Sequence, residues 1–259
     1  MTQFTSHTLD TAPDAAKPIF ESVKAAFGFV PNLQSYMAES PELLAGYTAL
    51  WDLFSRTTLT TYEQQVVYLT ANFENECHYC MAGHTTLARM QKMGEDVIAA
   101  LRAGSELPDT RLEALHRFAT LVVRNRGWVA DADVDAFLAA GFTRRNVLEV
   151  VLGVATKVMS NYTNHITHTP LDAFMKGNEW SKPAVARRKA QRCSCPHPTG
   201  PIPTIDPYGA DMILSGKPGL SQSQAPEVSI GSADSGLFNP VSRCSMKLRT
   251  FGETWRVAG

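Results

Sequence analysis

Two cysteines three positions apart, with a histidine four positions after the second, are the residues of this chain best suited to chemistry. They lie in residues 62–84, YEQQVVYLTANFENECHYCMAGH, which hold Cys77, Cys80 and two of the seven histidines, His78 and His84. The reactive form of such a pair is a thiolate, and a helix N-terminus favours it through free N–H groups and the helix dipole. One thiol attacks a substrate sulfur or a peroxide oxygen, and the other resolves the intermediate. His84 stands one helical turn after Cys80 and shares its face. From there it accepts the Cys80 proton or, once protonated, stabilises the thiolate. Glu63 and Gln65 lie upstream, where either one orients the imidazole. This chemistry needs no cofactor.

Two other readings fit the same residues. Free cysteines pack as small hydrophobes, and a histidine beside them is then a surface residue. Alternatively Cys77, Cys80 and His84 are three zinc ligands with Glu76 as a fourth, although a structural zinc site usually has a second knuckle.

For thiol chemistry the pair must open a helix, and the pattern around it is helical throughout. Apolar spacing predicts a helix over 13–27, closed by Gly28. Ser40-Pro41-Glu42 opens another to about Arg56, with an N-cap, an N1 proline and an acidic first turn. Thr60 and Glu63 form a capping box for a helix over 61–75. Cys77 begins the next, which runs through Met90, and a short one ends near Gly104. Pro108 to about Arg126, Asp131 to Ala140 and Thr143 to about Asn161 complete the set. In the last of these Val147, Leu148, Val150, Val151, Val154 and Val158 make a wide apolar face. A buried strand competes at its centre, but its length favours helix. The body is read as all-α, with residues 1–12 frayed and the domain spanning 13–180. Trp51 and Trp128 are expected in the core or at a subunit contact, and His116 on an exposed face.

An echo appears when Thr143 is set on Thr60. Val67 then falls on Val150, Cys77 on Ser160, Tyr79 on Tyr162 and Cys80 on Thr163. Two apolar helices of equal period also agree this well by chance. The echo nevertheless brings His165 toward the cysteine turn. The plain reading of His165 and His168 is compensation of a helix C-terminus.

Composition changes at residue 181. Up to that point there are 14 Lys+Arg against 20 Asp+Glu, and beyond it 10 against 5. Nine of the fifteen prolines lie in the second part, so residues 181–259 are expected to be a disordered tail. Arg187-Arg188-Lys189 and Cys193-Ser194-Cys195 with His197 read there as a solvated run and an incidental pair. The net charge of -1 gives no ground for a nucleic-acid or membrane partner. The start MTQFTSHTLD lacks the blocks of an export leader, and no apolar run approaches a membrane span. A reducing cytoplasmic setting is therefore expected, where a CxxC is redox or metal-binding rather than a structural disulfide.

The stretch LTTYEQQVVYLTANFENECHYCMAGH resembles the core motif of the carboxymuconolactone decarboxylase-like superfamily, and within it the branch of the alkylhydroperoxidase AhpD. FGFVPN and the late SNYTNH extend the resemblance over roughly residues 13–175. The resemblance implies an all-helical fold assembled as a trimer, a hexamer or a related ring. It also implies a thiol-dependent peroxidase, or a dithiol that reduces another peroxidase. Cys80 is then the peroxide-attacking thiol, Cys77 the resolving thiol and His84 the proton acceptor. The chain departs from the family in two places. Gln65 occupies the position of the relay glutamate, and an amide cannot carry a proton. Glu63 is offset from it by two residues, about 200° around a helix, which leaves Glu74 as another acidic candidate. Tyr79 stands where AhpD has a relay histidine, with His78 before it. The expected partners are a hydroperoxide or disulfide substrate, an unidentified thiol reductant and copies of the chain itself. An acid–base enzyme acting on a lactone and a non-catalytic redox-sensing oligomer remain alternatives on the same fold.

Overall fold

A computed structural model of the chain describes residues 3–184. Most of the expected tail therefore lies outside the described residues, with Arg187-Arg188-Lys189, Cys193, Cys195 and His197. Among the described residues there are nine α-helices, one 3-10 turn at Ala173–Met175 and no strand. The helices are α1 (Lys17–Phe27), α2 (Asn32–Met37), α3 (Pro41–Ser55), α4 (Thr61–Glu74), α5 (His78–Met90), α6 (Glu95–Ala103), α7 (Thr110–Arg124), α8 (Asp131–Ala139) and α9 (Arg144–Thr167).

Local chemistry sets these boundaries. Ser40 Oγ accepts the Leu43 N–H, and Asp109 accepts that of Leu112. Thr60 and Glu63 cap α4 reciprocally, as Thr143 and Asn146 cap α9. The turn from α4 into α5 is a Schellman motif. Cys77 N–H bonds the Asn72 carbonyl and Glu76 N–H that of Phe73, with Glu76 at φ 55° in place of the usual glycine. This turn leaves Cys77 as the N-cap of α5 and Cys80 in its first turn.

Helix α4 is the axis of the body. Every residue from Gln65 to Phe73 is buried, because α3, α5, α6, α7 and α9 all pack against it. A helix buried on all sides must find partners for its polar side chains. Gln65 reaches His84 on α5, Thr70 reaches His116 on α7, and Asn72 reaches both α5 and α9. His116, expected at the surface, is buried for this reason and bonds Thr70 Oγ1 at 2.8 Å.

Helix α9 runs six residues past its expected end and crosses close to α3 and α4 at Gly153. A Cβ there would stand 2.6 Å from the Phe54 ring and 2.8 Å from Val67. Only part of its apolar face turns inward: Leu148 and Val151 are exposed, and so is Trp128 in the turn before α8.

Two ends of the domain differ from the sequence reading. His7 N–H bonds the Ser35 carbonyl, His7 Nε2 meets Glu39 at 2.9 Å, and Ala12, Ala16 and Phe20 pack with Cys77 and Cys80. The segment read as frayed is thus packed from His7 onward, since its small apolar residues complete the core beside the thiols. Beyond α9, Trp180 packs on Phe73, and Lys182 lies buried over the Phe73 ring with Glu76 at 3.5 Å. The body therefore continues past residue 180. No helix among the described residues is long and apolar enough to cross a membrane.

Candidate active site

Cys77 and Cys80 are free thiols, both buried where the first turn of α5 meets α9. Helix α9 presents Lys157, Ser160, Asn161 and Asn164, one face at helical spacing. Asn164 Nδ2 donates to Cys80 Sγ at 3.2 Å and leans toward Cys77 Sγ at 3.8 Å. Asn161 and Ser160 lie beside the Cys80 sulfur and favour its ionised form, while Ser160 Oγ donates to the Thr156 and Lys157 carbonyls.

A chain of amides fixes this arrangement. Asn75 Nδ2 donates to Asn161 Oδ1 at 2.9 Å, and Asn161 Nδ2 donates to Asn72 Oδ1 at 3.0 Å. Asn72 Nδ2 in turn holds the Cys80 carbonyl at 3.1 Å. The end of α4, the start of α5 and the middle of α9 are tied together there.

Burial by itself raises a thiol, and Cys80 is fully enclosed. Against burial act a hydrogen bond from the Cys77 thiol, the charge of Lys157, and the donors Ser160 and Asn161. They bring Cys80 down to about 5. Cys77 is pushed up, first by donating its proton to Cys80 and then by burial. The two thiols titrate as a coupled pair in which Cys80 is the lower member and Cys77 the higher.

His84 packs against the rings of Tyr68 and Trp51, which also stack on each other. Its Nδ1–H donates to Gln65 Oε1 at 2.9 Å, and its Nε2 accepts from Lys157 Nζ at 2.9 Å. An ammonium only donates, so Nε2 carries the lone pair and Nδ1 the proton. Burial, followed by the Lys157 charge, holds the imidazole far below its ordinary range and hence neutral. Both ring nitrogens are engaged. The direct acceptance of the Cys80 proton implied for His84 is thus not the arrangement observed.

Of the residues singled out from the sequence, the fold brings together Cys77, Cys80, His84 and Gln65. Glu63 is spent on the α4 capping box and on Arg111, at 3.0 Å. Glu74 pairs with two of the guanidinium nitrogens of Arg124, Nε and Nη2. His78 is exposed and donates to the Trp180 carbonyl at 2.6 Å. Tyr79 is buried beside the site, but its hydroxyl donates to Asp172 and accepts the Leu33 N–H, clamping the segment after α9. His165 points to solvent and stacks on Tyr162. The residue one position earlier, Asn164, is the one that enters the site. A zinc ion does not fit: the Nε2 lone pair is taken by an ammonium, and Glu76 turns to Lys182.

Sequence reasoning missed Lys157, Ser160, Asn161 and Asn164. Their signal was a polar stripe at i, i+3, i+4 and i+7 within an otherwise apolar helix.

Residues 41–110, which carry Gln65, both cysteines and His84, match the carboxymuconolactone decarboxylase family. The same fold occurs in the alkylhydroperoxidase AhpD core of a peroxidase-related protein from Ralstonia eutropha JMP134. It is 22% identical with a TM-score of 0.61, over 70% of this chain and 97% of that one. The helical body thus has the fold of that AhpD core, and its residues 41–110 match the carboxymuconolactone decarboxylase family. The fold is shared by a peroxidase-related protein from Silicibacter sp. TM1040 (23% identity, TM-score 0.58, 68% of this chain and 98% of that one). The debrominase Bmp8, in complex with 2,3,4-tribromopyrrole, also shares the fold (16% identity, TM-score 0.58, 69% and 96%). No curated protein matches the chain.

Proposed function

We propose that the protein is a thiol-dependent peroxidase or dithiol–disulfide oxidoreductase that works through Cys80 and Cys77. One observation carries this reading: two free, buried thiols at the start of α5, with Cys80, the lower of the pair, accepting a hydrogen bond from Asn164 at 3.2 Å. With a hydroperoxide, the Cys80 thiolate attacks the terminal oxygen. An S–O bond forms, the O–O bond breaks, and the alkoxide leaves as an alcohol after taking a proton. The sulfur is oxidised by two electrons to a sulfenic acid. Cys77 then attacks Cys80, forming the S–S bond and expelling water. An external dithiol returns two electrons and two protons. The acid–base alternative is disfavoured because both ring nitrogens of His84 are engaged, by Gln65 and Lys157.

The test is to treat the purified, reduced protein with a hydroperoxide and read thiol count and mass. Loss of Cys77 and Cys80 together, repeated on each addition of dithiol, is the expected result. Cys77→Ser stops at one added oxygen on Cys80, and Cys80→Ser is inert. Full oxidation of Cys77 in the Cys80→Ser protein refutes the assignment, and one stoichiometric oxidation without turnover replaces it with redox sensing. Tribromopyrrole, bound in Bmp8, serves as a second two-electron acceptor. Bromide release without hydroperoxide consumption replaces the peroxidase reading.

We also propose self-association through the outer face of α9. Leu148, Val151, Tyr162 and Ile166 are exposed there along one stripe, on the side away from Lys157 and Asn164.

A further inference from the structure

Lys157 is 1% exposed. Among the described residues no carboxylate lies within ion-pair distance of it. Lys182, also buried, shows the contrast, because Glu76 stands 3.5 Å from its ammonium. Lys157 has the neutral His84 Nε2 at 2.9 Å and the face of Tyr68 at 5.2 Å. A buried ammonium with no anion costs several kcal/mol, and such a group persists where a counter-charge exists. The group on which its charge acts is Cys80, whose sulfur faces the same side of α9. On that face Asn164 donates to Cys80 Sγ at 3.2 Å, and Ser160 and Asn161 lie beside that sulfur. The cradle supplies donors and one cation, the composition of a site built for an anion.

We propose that Lys157 is the fixed counter-cation of the Cys80 thiolate and the proton donor to the group that leaves when Cys80 is oxidised, with His84 a positioning residue that acts through it. This deepens the thiol reading above and rests on it. At rest the site holds a thiolate, a thiol and an ammonium. When the Cys80 sulfur takes the terminal oxygen of a hydroperoxide, the departing alkoxide takes a proton from Lys157 Nζ. Sulfenic acid, thiol, neutral amine and alcohol result. Cys77 then gives its proton to the amine and attacks Cys80. The S–O bond breaks, and the departing hydroxide takes that proton to become water. Disulfide and amine remain, so the dry site carries no net charge before or after. Reduction by an external dithiol returns two protons, one to Cys77 and one to Lys157.

His84 explains why the ammonium stays in place. Its Nε2 lone pair holds Nζ, and Gln65 holds the ring in the tautomer that keeps that lone pair available. The titratable groups around the sulfur are Tyr47 from α3, Tyr68 from α4, Cys77, Tyr79 and His84 from α5, and Lys157 from α9, with Asp172 behind Tyr79. Burial holds all three phenols high and keeps His84 neutral, so none of them titrates in the range where Cys80 does.

The experiment uses the full chain and follows iodoacetamide alkylation of Cys80 against pH, read on its own peptide by mass spectrometry. This separates it from the cysteines beyond residue 184. Lys157→Met is expected to move the midpoint up by about 1–3 pH units, as loss of an adjacent opposite charge does. Lys157→Arg is expected to retain most of the low midpoint. Lys157→Gln keeps a donor for His84 without the charge, and serves as the second variant should Lys157→Met lose its helical circular dichroism. Proton donation is read separately. At a pH where Cys80 is ionised in both proteins, alkylation of Lys157→Gln matches the parent while its hydroperoxide rate falls about 10²-fold or more. An unchanged midpoint in a folded variant, or a hydroperoxide rate that falls only as alkylation does, overturns the assignment. Alkylation involves no peroxide. A midpoint that depends on Lys157 in a protein inert to hydroperoxide therefore sinks the peroxidase reading and the proton donation with it, and leaves the counter-cation role of Lys157 standing. An unchanged midpoint in a protein that consumes hydroperoxide does the reverse.

Discussion

Gln65 Oε1 accepts the Nδ1 proton of His84 at 2.9 Å, at the position where a carboxylate was sought from the sequence. The amide cannot relay that proton, but it fixes the tautomer. Because Nδ1 is the donor, Nε2 is left as the acceptor for Lys157.

Replacing this residue separates holding from relaying. Gln65→Leu leaves a buried N–H without an acceptor and is expected to cost about 1–3 kcal/mol in urea unfolding. Gln65→Glu places a carboxylate on Nδ1, which favours the imidazolium and brings His84 up from its depressed range. The hydroperoxide reaction of this variant is then expected to gain a second inflection in its pH profile. A profile identical to the parent would mean that His84 is not electrically coupled to the thiols.

Buried neutral histidines set the acid side of stability. Burial brings His116 down to about 4 and puts His84 far below its ordinary value. The unfolded chain therefore binds these protons first. Their contribution is complete above about pH 6.5 and is lost as pH falls, for His116 through about 4. Cys80 acts with the same sign. Its contribution is present above the unfolded thiol value and lost as pH falls through about 5. The steepest loss is expected below about pH 6.5, at up to about 1.4 kcal/mol per pH unit for each histidine. His116→Gln should flatten that limb when unfolding free energy is measured from neutral to acid pH. An acid limb unchanged in this variant would place His116 outside the account.

The α9 stripe makes a prediction about assembly. Leu148 is 70% exposed and Ile166 62% exposed, more than three turns apart on one helix, so neither holds the monomer together. Leu148→Glu and Ile166→Glu are expected to leave helicity intact and to reduce the mass seen by size-exclusion chromatography with light scattering. A wild-type chain that runs as a monomer at micromolar concentration counts against the proposal, as does a variant of unchanged mass.

The reactive stretch was legible because it is contiguous. The capping box at Thr60, the helical period after it and the cysteine turn place Gln65, Cys77, Cys80 and His84 by local rules alone. The all-helical body was legible for the same reason, apart from the short α2, which the apolar spacing did not reveal. Local rules did not reveal which acidic side chain faces the imidazole. Glu63 and Glu74 are drawn to Arg111 and Arg124 on α7, partners 48 and 50 residues away, and neither is left to serve His84.

The sequence by itself determined that this protein carries a dithiol at the start of a helix with a histidine one turn later. Only the tertiary structure decided the electrostatics of that dithiol. Lys157 stands 73 residues from His84, and Asn164 stands 84 from Cys80. They meet because Gly153 lets α9 cross close to α4, and because a chain of asparagines fixes the rotation of α9 about its axis. One residue of helical rotation separates Asn164, in the site, from His165, in solvent. Helical period alone cannot set that angle. The physical reason is that a buried charge is governed by whatever surrounds it in space, and around Cys80 those groups come from the far end of the domain.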